Sequence, residues 1–443
     1  MDLGFWAPPP SIAFSPALQH RVFTWSVGEV LSKYAHVRSK CQRTNSFCSA
    51  LHAKWKEWLP RDAVDQLCTS DRLVILHGDI LLPNLGLTGP ELDNVRNNIN
   101  IMIHAASSIN LAKPLHRLSG TIIEASNMLA DLALTCKRMD RFVYVSTAYA
   151  NTHLYSQCDD LDVKISEAIY PLHRTRSVLD ELEEVRKRGT SQEYEAERFP
   201  WAYAYAKHLT ERLLRHKFTE SACEKKLLII RPSVIGPSQA LPFPGYNVPL
   251  SSPCTVCVAG LLLTPFRNFR VATRMTDPEL EAHQDEVPVD VVADRLLCHL
   301  ALGTHGCIHA VSGVRARSEF ELWRKALAKI RRIPWDVRPQ WVKGDWDSPD
   351  QHHLARLYAI LGTSFAFAED RTVALYEGHP DIKNWGLQLF TDLDQNQSFL
   401  PRIQGIRYVM DRLAKRSWLV WLIVVIFYSD FGQNHSPGRL KNS

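Results

Sequence analysis

The sequence predicts an α/β fold, a doubly wound parallel sheet followed by a smaller helical region, and three observations carry that prediction. From Arg72 onward short apolar runs alternate with amphipathic stretches, as βα units require. Polar residues gather at the ends of those runs, where open α/β sheets bind ligands. Beyond "CIHAVSG" (307 to 313) the pattern changes to helices rich in Trp, Arg and Leu, such as "SEFELWRKALAKI".

Taken in order, "RLVILHGD" (72 to 79) and "INIMIHAAS" (99 to 107) read as buried strands. Helical spacing of apolar residues follows in Leu118 to Leu134, and "RFVYVSTAYA" (141 to 150) is a third strand running into its loop. A polar region, 151 to 200, carries an exposed charged helix, "SVLDELEEVRKRG", with Gly189 as its stop signal. The helix "WAYAYAKHLTERLL" (201 to 214) precedes a fourth strand, "KLLIIRPSVIG" (226 to 236), and "CIHAVSG" is the last strand. The expected division is an atypical segment over 1–45, a sheet domain over 46–315, a helical domain over 316–415 and a tail over 416–443.

A chain of 443 residues exceeds what one core ordinarily holds. With 22% charged and 45% hydrophobic residues it is globular in composition, and its +5 charge is spread along helices rather than massed. That distribution favours anionic ligands such as nucleotides or CoA esters and gives no indication of nucleic acid. Ten scattered cysteines and a start without a charged and apolar leader pattern point to a reducing, intracellular compartment, cytoplasmic or peripheral on an organelle membrane. Trp418 to Tyr428, "WLVWLIVVIFY", falls short of the ~20 residues of a spanning helix, so packing in the fold, membrane-surface contact and spanning compete. "CTVC" (254 to 257) has half a zinc or redox spacing without a second pair, and reads as a packed loop. "DQHHL" (350 to 354) puts two side chains on diverging directions, so no metal ligands are assigned.

The chemistry-bearing stretch is "WAYAYAKHLTERLL". Helix positions four apart share a face, so Tyr203 meets Lys207 while Tyr205 points away. A Tyr-x-x-x-Lys pair alone is weak, but this one lies after a strand ending "VSTAY" and before one ending "RPSVIG". That order, hydroxyl then Tyr then Lys, matches the extended short-chain dehydrogenase/reductase superfamily and its Rossmann-like fold. Hydride delivered to a carbonyl leaves an oxyanion that needs a proton donor, and a phenol with a pKa near ~10 needs tuning to serve. A lysine one turn away is expected to lower that pKa, and the hydroxyl of Thr147, or less favourably Ser146, to orient the substrate oxygen.

"GDILLPNLGLTGPEL" (78 to 92), "IHAASSINLAKPL" (103 to 115), "FVYVSTAYAN" (142 to 151), "YAYAKHLTE" (203 to 211), "RPSVIGPSQALPFPGY" (231 to 246) and "EVPVDVVAD" (286 to 294) resemble, in order and spacing, the fatty acyl-CoA reductases of the male-sterility type. The resemblance covers about 46 to 313, and "FLPRIQGIRYVM" looks like that family's C-terminal domain. It implies NADPH-dependent reduction of a long-chain acyl-CoA, through an aldehyde, to a primary alcohol. By motif, Tyr203 is the acid, Lys207 its modulator and ribose contact, and Thr147 the third member. The resemblance also implies that Asp79 and Ile80 border the adenine, that Ala105 and Ala106 allow close backbone approach to the cofactor, and that Pro232, Ser233 and Val234 flank the nicotinamide. Pro244, Gly245 and Tyr246 would border the acyl channel. Two rivals stand beside it: a thioester reductase on carrier-bound acyl chains, and a non-catalytic lipid-binding or partner-binding relative.

One region departs from the pattern. The expected glycine-rich turn falls in "PALQHRVFTWSVGEVLS" (16 to 32), which contains only Gly28. "SVGEVLSKYAHVRSK" resembles the end of a first helix running into a shortened second strand, with Arg38 or Lys40 where the family places a 2'-phosphate partner. "GLTGPELDN" (86 to 94) follows the wrong strand and reads as a surface loop. Arg117 stands where the family's "N-x-x-G-T" has asparagine.

Overall fold

Five strands form one parallel sheet in consecutive order: β1 (Val22–Trp25), β2 (Ile101–His104), β3 (Arg141–Val145), β4 (Leu227–Pro232) and β5 (Gly306–Ala310). The computed structural model describes residues 22–25, 65, 76, 78–172, 176–240, 251–379 and 402–428. The expected strand over 72 to 79 lies mostly outside the described residues. β1 was not foreseen; it pairs with β2 in the register Val22 to Ile101 and Trp25 to His104.

The helices that position the site are α1 (Gly89–Asn98), α2 (Leu115–Ser119), α3 (Ala125–Thr135), α4 (Val178–Arg188), α5 (Ala202–Glu220), α6 (Pro253–Leu263), α7 (Val289–Ala301), α8 (Phe320–Ile330), α9 (Arg402–Ala414) and α10 (Trp418–Tyr428). Strand side chains alternate between two cores, as a two-residue period demands. Met102, Phe142, Tyr144, Leu227 and Ile229 pack with Leu129 and Leu132 of α3 and Phe218 of α5. Ile101, Ile103, Val143, Leu228, Ile230 and Ile308 pack on the other face against Val291 and Val292 of α7. Helices on both faces make the sheet doubly wound, and its strands read as continuous apolar runs because neither face meets water.

Local signals explain several boundaries. α4 begins where the Ser177 side chain accepts the Leu179 N–H and ends at Gly189, whose φ of 73° is the left-handed cap glycine supplies. α2 and α3 are joined by a π-helical turn, Gly120–Glu124, and Arg117 is exposed on α2. The "GLTGPELDN" stretch starts α1 rather than a loop. Glu91 there accepts hydrogen bonds from the Thr88 amide and hydroxyl at 2.8 and 2.7 Å, a capping arrangement that satisfies the helix start from within. "CTVC" likewise begins α6 instead of lying in a loop, because Pro253 opens the helix and the Ser252 side chain accepts the Thr255 N–H.

The C-terminal region is mainly helical and also returns three strands to the first region. Ser318–Glu319 pairs with His283–Gln284, Arg338–Lys343 with Asn268–Thr273, and Ser364–Phe367 with Asp162–Ile165. These returns roof the carboxyl ends of the central strands.

Candidate active site

The loop after β3 is tied to β4 by the Ser146 amide, which donates to the Ile230 carbonyl at 2.7 Å. Thr147 follows with an extended backbone and caps the 3-10 helix Ala148–Ser156, its hydroxyl accepting the Tyr149 N–H at 3.2 Å. The same hydroxyl donates to the Pro232 carbonyl at 3.4 Å, so one atom bridges the ends of β3 and β4. Lys207 of α5, 2% exposed, donates from Nζ to the Val145 carbonyl at 2.9 Å and lies over the Tyr144 ring.

Thr147, Tyr203 and Lys207 all line one cavity of about 270 Å³, together with Ala105, Ser146, Pro232, Ser233 and Val234. Three segments distant in sequence are thus brought to one place. Tyr203 faces the Thr147 hydroxyl. Tyr205 turns away, as helix geometry requires: its hydroxyl lies between Ser191 and Glu181, and Glu181 is held in turn by Arg212. The remaining assigned residues sit elsewhere. Asp79 Oδ1 accepts the Leu81 N–H at 3.0 Å, Ile80 packs against the core under β2 and β3, and Ala106 is buried in that same core. Arg38, Pro244, Gly245 and Tyr246 lie outside the described residues.

Electrostatics correct one expectation. Burial pushes the Tyr203 phenol above its ordinary pKa, opposed only by the Thr147 hydroxyl. The expected lowering by Lys207 is not among the influences on the phenol, and Lys207 is itself desolvated: burial brings it down to about 7, with the Glu211 carboxylate opposing. Glu211 lies one turn further along α5 and is locked to Arg231 of β4, with Nε to Oε1 at 2.9 Å and both side chains buried. His104, at the end of β2, is held down to about 3 by burial first and by Lys207 second. Ser126 donates to the Ile122 carbonyl, so His104 Nε2 must donate to Ser126 Oγ, which places the proton of the neutral ring on Nε2.

The opposite wall of the cavity was not anticipated. Cys254, Cys257, Val258 and Leu261 of α6 meet Phe320, Trp323 and Leu327 of α8, with Val337, Tyr358 and Leu361 from the C-terminal region. Neither cysteine is in a disulfide, and burial pushes Cys257 up to about 12, which keeps it protonated. The helical repeat of Cys254, Cys257, Val258 and Leu261 was the available signal, hidden by the nearly unbroken apolar run around it.

The sheet, with hydroxyl, tyrosine and lysine gathered at its carboxyl ends, defines a Rossmann-type fold of the extended short-chain dehydrogenase/reductase class. A family model described as Male sterility protein matches residues 27–296, and the chain belongs to this NAD-binding family. Fatty acyl-CoA reductase 1 of Xenopus laevis is 24% identical over 232 residues, 52% of this chain and 41% of that protein. Fatty acyl-CoA reductase 2 of Homo sapiens is 22% identical over 259 residues, 56% of this chain and 45% of that protein. Each match therefore spans less than half the length of the relative. Among solved structures, the terminal R domain from the myxalamid PKS-NRPS biosynthetic pathway is similar with a TM-score of 0.52 at 15% identity, covering 90% of this chain and 92% of that one. The reductase (R) domain of a nonribosomal peptide synthetase from Mycobacterium tuberculosis gives 0.53 at 15% identity, covering 81% of each. Both likenesses are of fold.

Proposed function

We propose that this chain reduces a long-chain fatty acyl-CoA thioester with NADPH, through an aldehyde, to a primary fatty alcohol. The observation that carries this reading is the seating of Thr147, Tyr203 and Lys207 in a cavity whose lining from α6 and α8 is largely apolar, with Arg324 the charged exception on α8. Relatives named as fatty acyl-CoA reductases support the substrate class.

The residues present fit a nicotinamide cofactor at one end of the cavity. Ala105 is exposed there and brings no bulk, while Pro232, Ser233 and Val234 border the same space beside Lys207. Bound NADPH would supply the hydride that reaches the carbonyl carbon. Tyr203, kept protonated by its raised pKa, gives its proton to the carbonyl oxygen as charge develops. The Thr147 hydroxyl holds that oxygen in place, and Lys207, near its midpoint at neutral pH, returns a proton toward the phenol. The hemithioacetal expels the CoA thiol, and the aldehyde stays against the apolar wall for the second reduction, which would draw its hydride from a second NADPH bound in place of the spent NADP+. Loss of water from so buried a site strengthens each of these contacts. The setting is intracellular, cytoplasmic or peripheral on an organelle membrane.

The test is incubation with palmitoyl-CoA at NADPH concentrations raised until the rate saturates, followed by chromatography for hexadecanol. Alcohol from the CoA ester is the expected result. Product only from palmitate linked to a carrier protein would transfer the reading to a carrier-bound thioester reductase, and no product from either would overturn it.

A further inference from the structure

A second cavity of about 320 Å³ lies against α5, and among the described residues it shares no lining side chain with the first. Arg212, Arg215, His216 and Thr219 border it, at the three- and four-residue spacing that puts side chains on one helix face. That face is not the one that carries Lys207 to the Val145 carbonyl and Glu211 to Arg231. The volume falls within the ~300–1,000 Å³ of small-molecule sites.

Its described lining has four basic side chains, Arg176 joining the three from α5, and no Asp or Glu. Two of the four are held by carboxylates outside the lining. Arg212 donates to the two Glu181 oxygens at 2.8 and 2.7 Å, and Arg176 to Glu184 at 2.6 Å with Glu193 at 3.7 Å. Arg215 and His216 make no side-chain hydrogen bond or ion pair among the described residues. An arginine fork beside an imidazole suits a phosphate monoester, which carries about two negative charges at neutral pH. The rest of the cavity is of another character, with Ile169, Leu172 and Val178 beside Tyr170. The Tyr170 hydroxyl donates to neither end of the cavity: it is engaged by the Ser166 amide at 2.9 Å and the Ser166 hydroxyl at 2.8 Å, which holds the ring as a stacking surface for a planar base.

We propose that this cavity is a second ligand site, for a nucleoside phosphate monoester, with the phosphate on Arg215 and His216 and the base against Tyr170. A free nucleotide and the adenosine 3'-phosphate end of CoA both present that chemistry. Binding here needs no hydride transfer, so its test is separate from that of the reductase reading.

The full chain is titrated calorimetrically with 5'-AMP, adenosine 3',5'-bisphosphate, adenosine and inorganic phosphate. Binding of a nucleotide is expected, with adenosine and inorganic phosphate each weaker by about 10-fold or more, because each lacks one half of the contacts. The tighter of the two nucleotides identifies the source as free nucleotide or as the end of CoA. R215A/H216A should weaken nucleotide binding by about 10-fold or more at unchanged circular dichroism and Tm. Should that variant lose Tm, R215E alone, on an exposed side chain, must show the same loss of binding. Ala105→Trp, which fills the cofactor end of the first cavity, should leave nucleotide binding unchanged. The proposal is overturned if neither nucleotide binds, or if adenosine or inorganic phosphate binds as tightly as the better nucleotide. It is also overturned if the Arg215 variants bind like the parent, or if Ala105→Trp abolishes binding, which would put the nucleotide in the reductase cavity.

Discussion

Tyr203 and Tyr205 stand two positions apart on one helix and live in different surroundings. Tyr205 is fully buried between Ser191 and Glu181, so Tyr205→Phe is expected to cost about 1 kcal/mol of stability, read as a lower Tm, with little change in turnover. Lys207 makes a pH statement. Its native pKa of about 7 lies below the unfolded value near ~10.4, so between these values the unfolded chain binds more protons and stability rises with pH. Relative to Lys207→Met, the parent should gain up to about 1.4 kcal/mol per pH unit across that window and nothing below it, measured by urea unfolding at a series of pH values. The choice of Tyr203 over Tyr205 was legible in the sequence, because four-residue spacing is a local property of a helix. The direction of its pKa was not, since desolvation by β3, β4 and their loops is set by tertiary burial.

At the scale of elements, α4 and α6 mark what sequence pattern reveals and conceals. The Gly189 stop was readable because a left-handed cap selects glycine. A Cβ there would also meet the His116 Cβ at 2.8 Å, so Gly189→Ala should lower stability by roughly 1 kcal/mol or more, visible as a lower Tm. α6 was concealed by its own apolarity: an element apolar nearly all round shows no contrast between faces, and "CTVC" lost its helical period in that run. Leu261 is the test of its role in the cavity wall. Leu261→Trp should fill space and raise KM for palmitoyl-CoA more than for octanoyl-CoA, compared in steady-state assays; equal effects on both would remove α6 from the acyl site.

For the whole molecule, the site exists because distant segments return to it. Arg338–Lys343 lies parallel to Asn268–Thr273 and Ser364–Phe367 parallel to Asp162–Ile165, and parallel pairing at such separation leaves no local trace in sequence. Buried charge fastens the return, with Arg295 of α7 held by Glu369 at 2.8 Å. The catalytic strands and their order were legible because each is a short apolar run with its own turn chemistry, whereas the roof over the cavity was not. With only Gly28 in the stretch 16 to 32, the sequence lacks the glycine-rich turn that presents amides to a pyrophosphate, and isothermal titration is expected to show NADPH binding weaker than micromolar. The most direct measurement is hexadecanol formation from palmitoyl-CoA at saturating NADPH by the parent chain, Tyr203→Phe and Tyr205→Phe. Product from the parent and Tyr205→Phe, with a fall of roughly 10²-fold or more in Tyr203→Phe, is the expected result; a Tyr203→Phe variant as active as the parent would contradict the assignment of the proton donor.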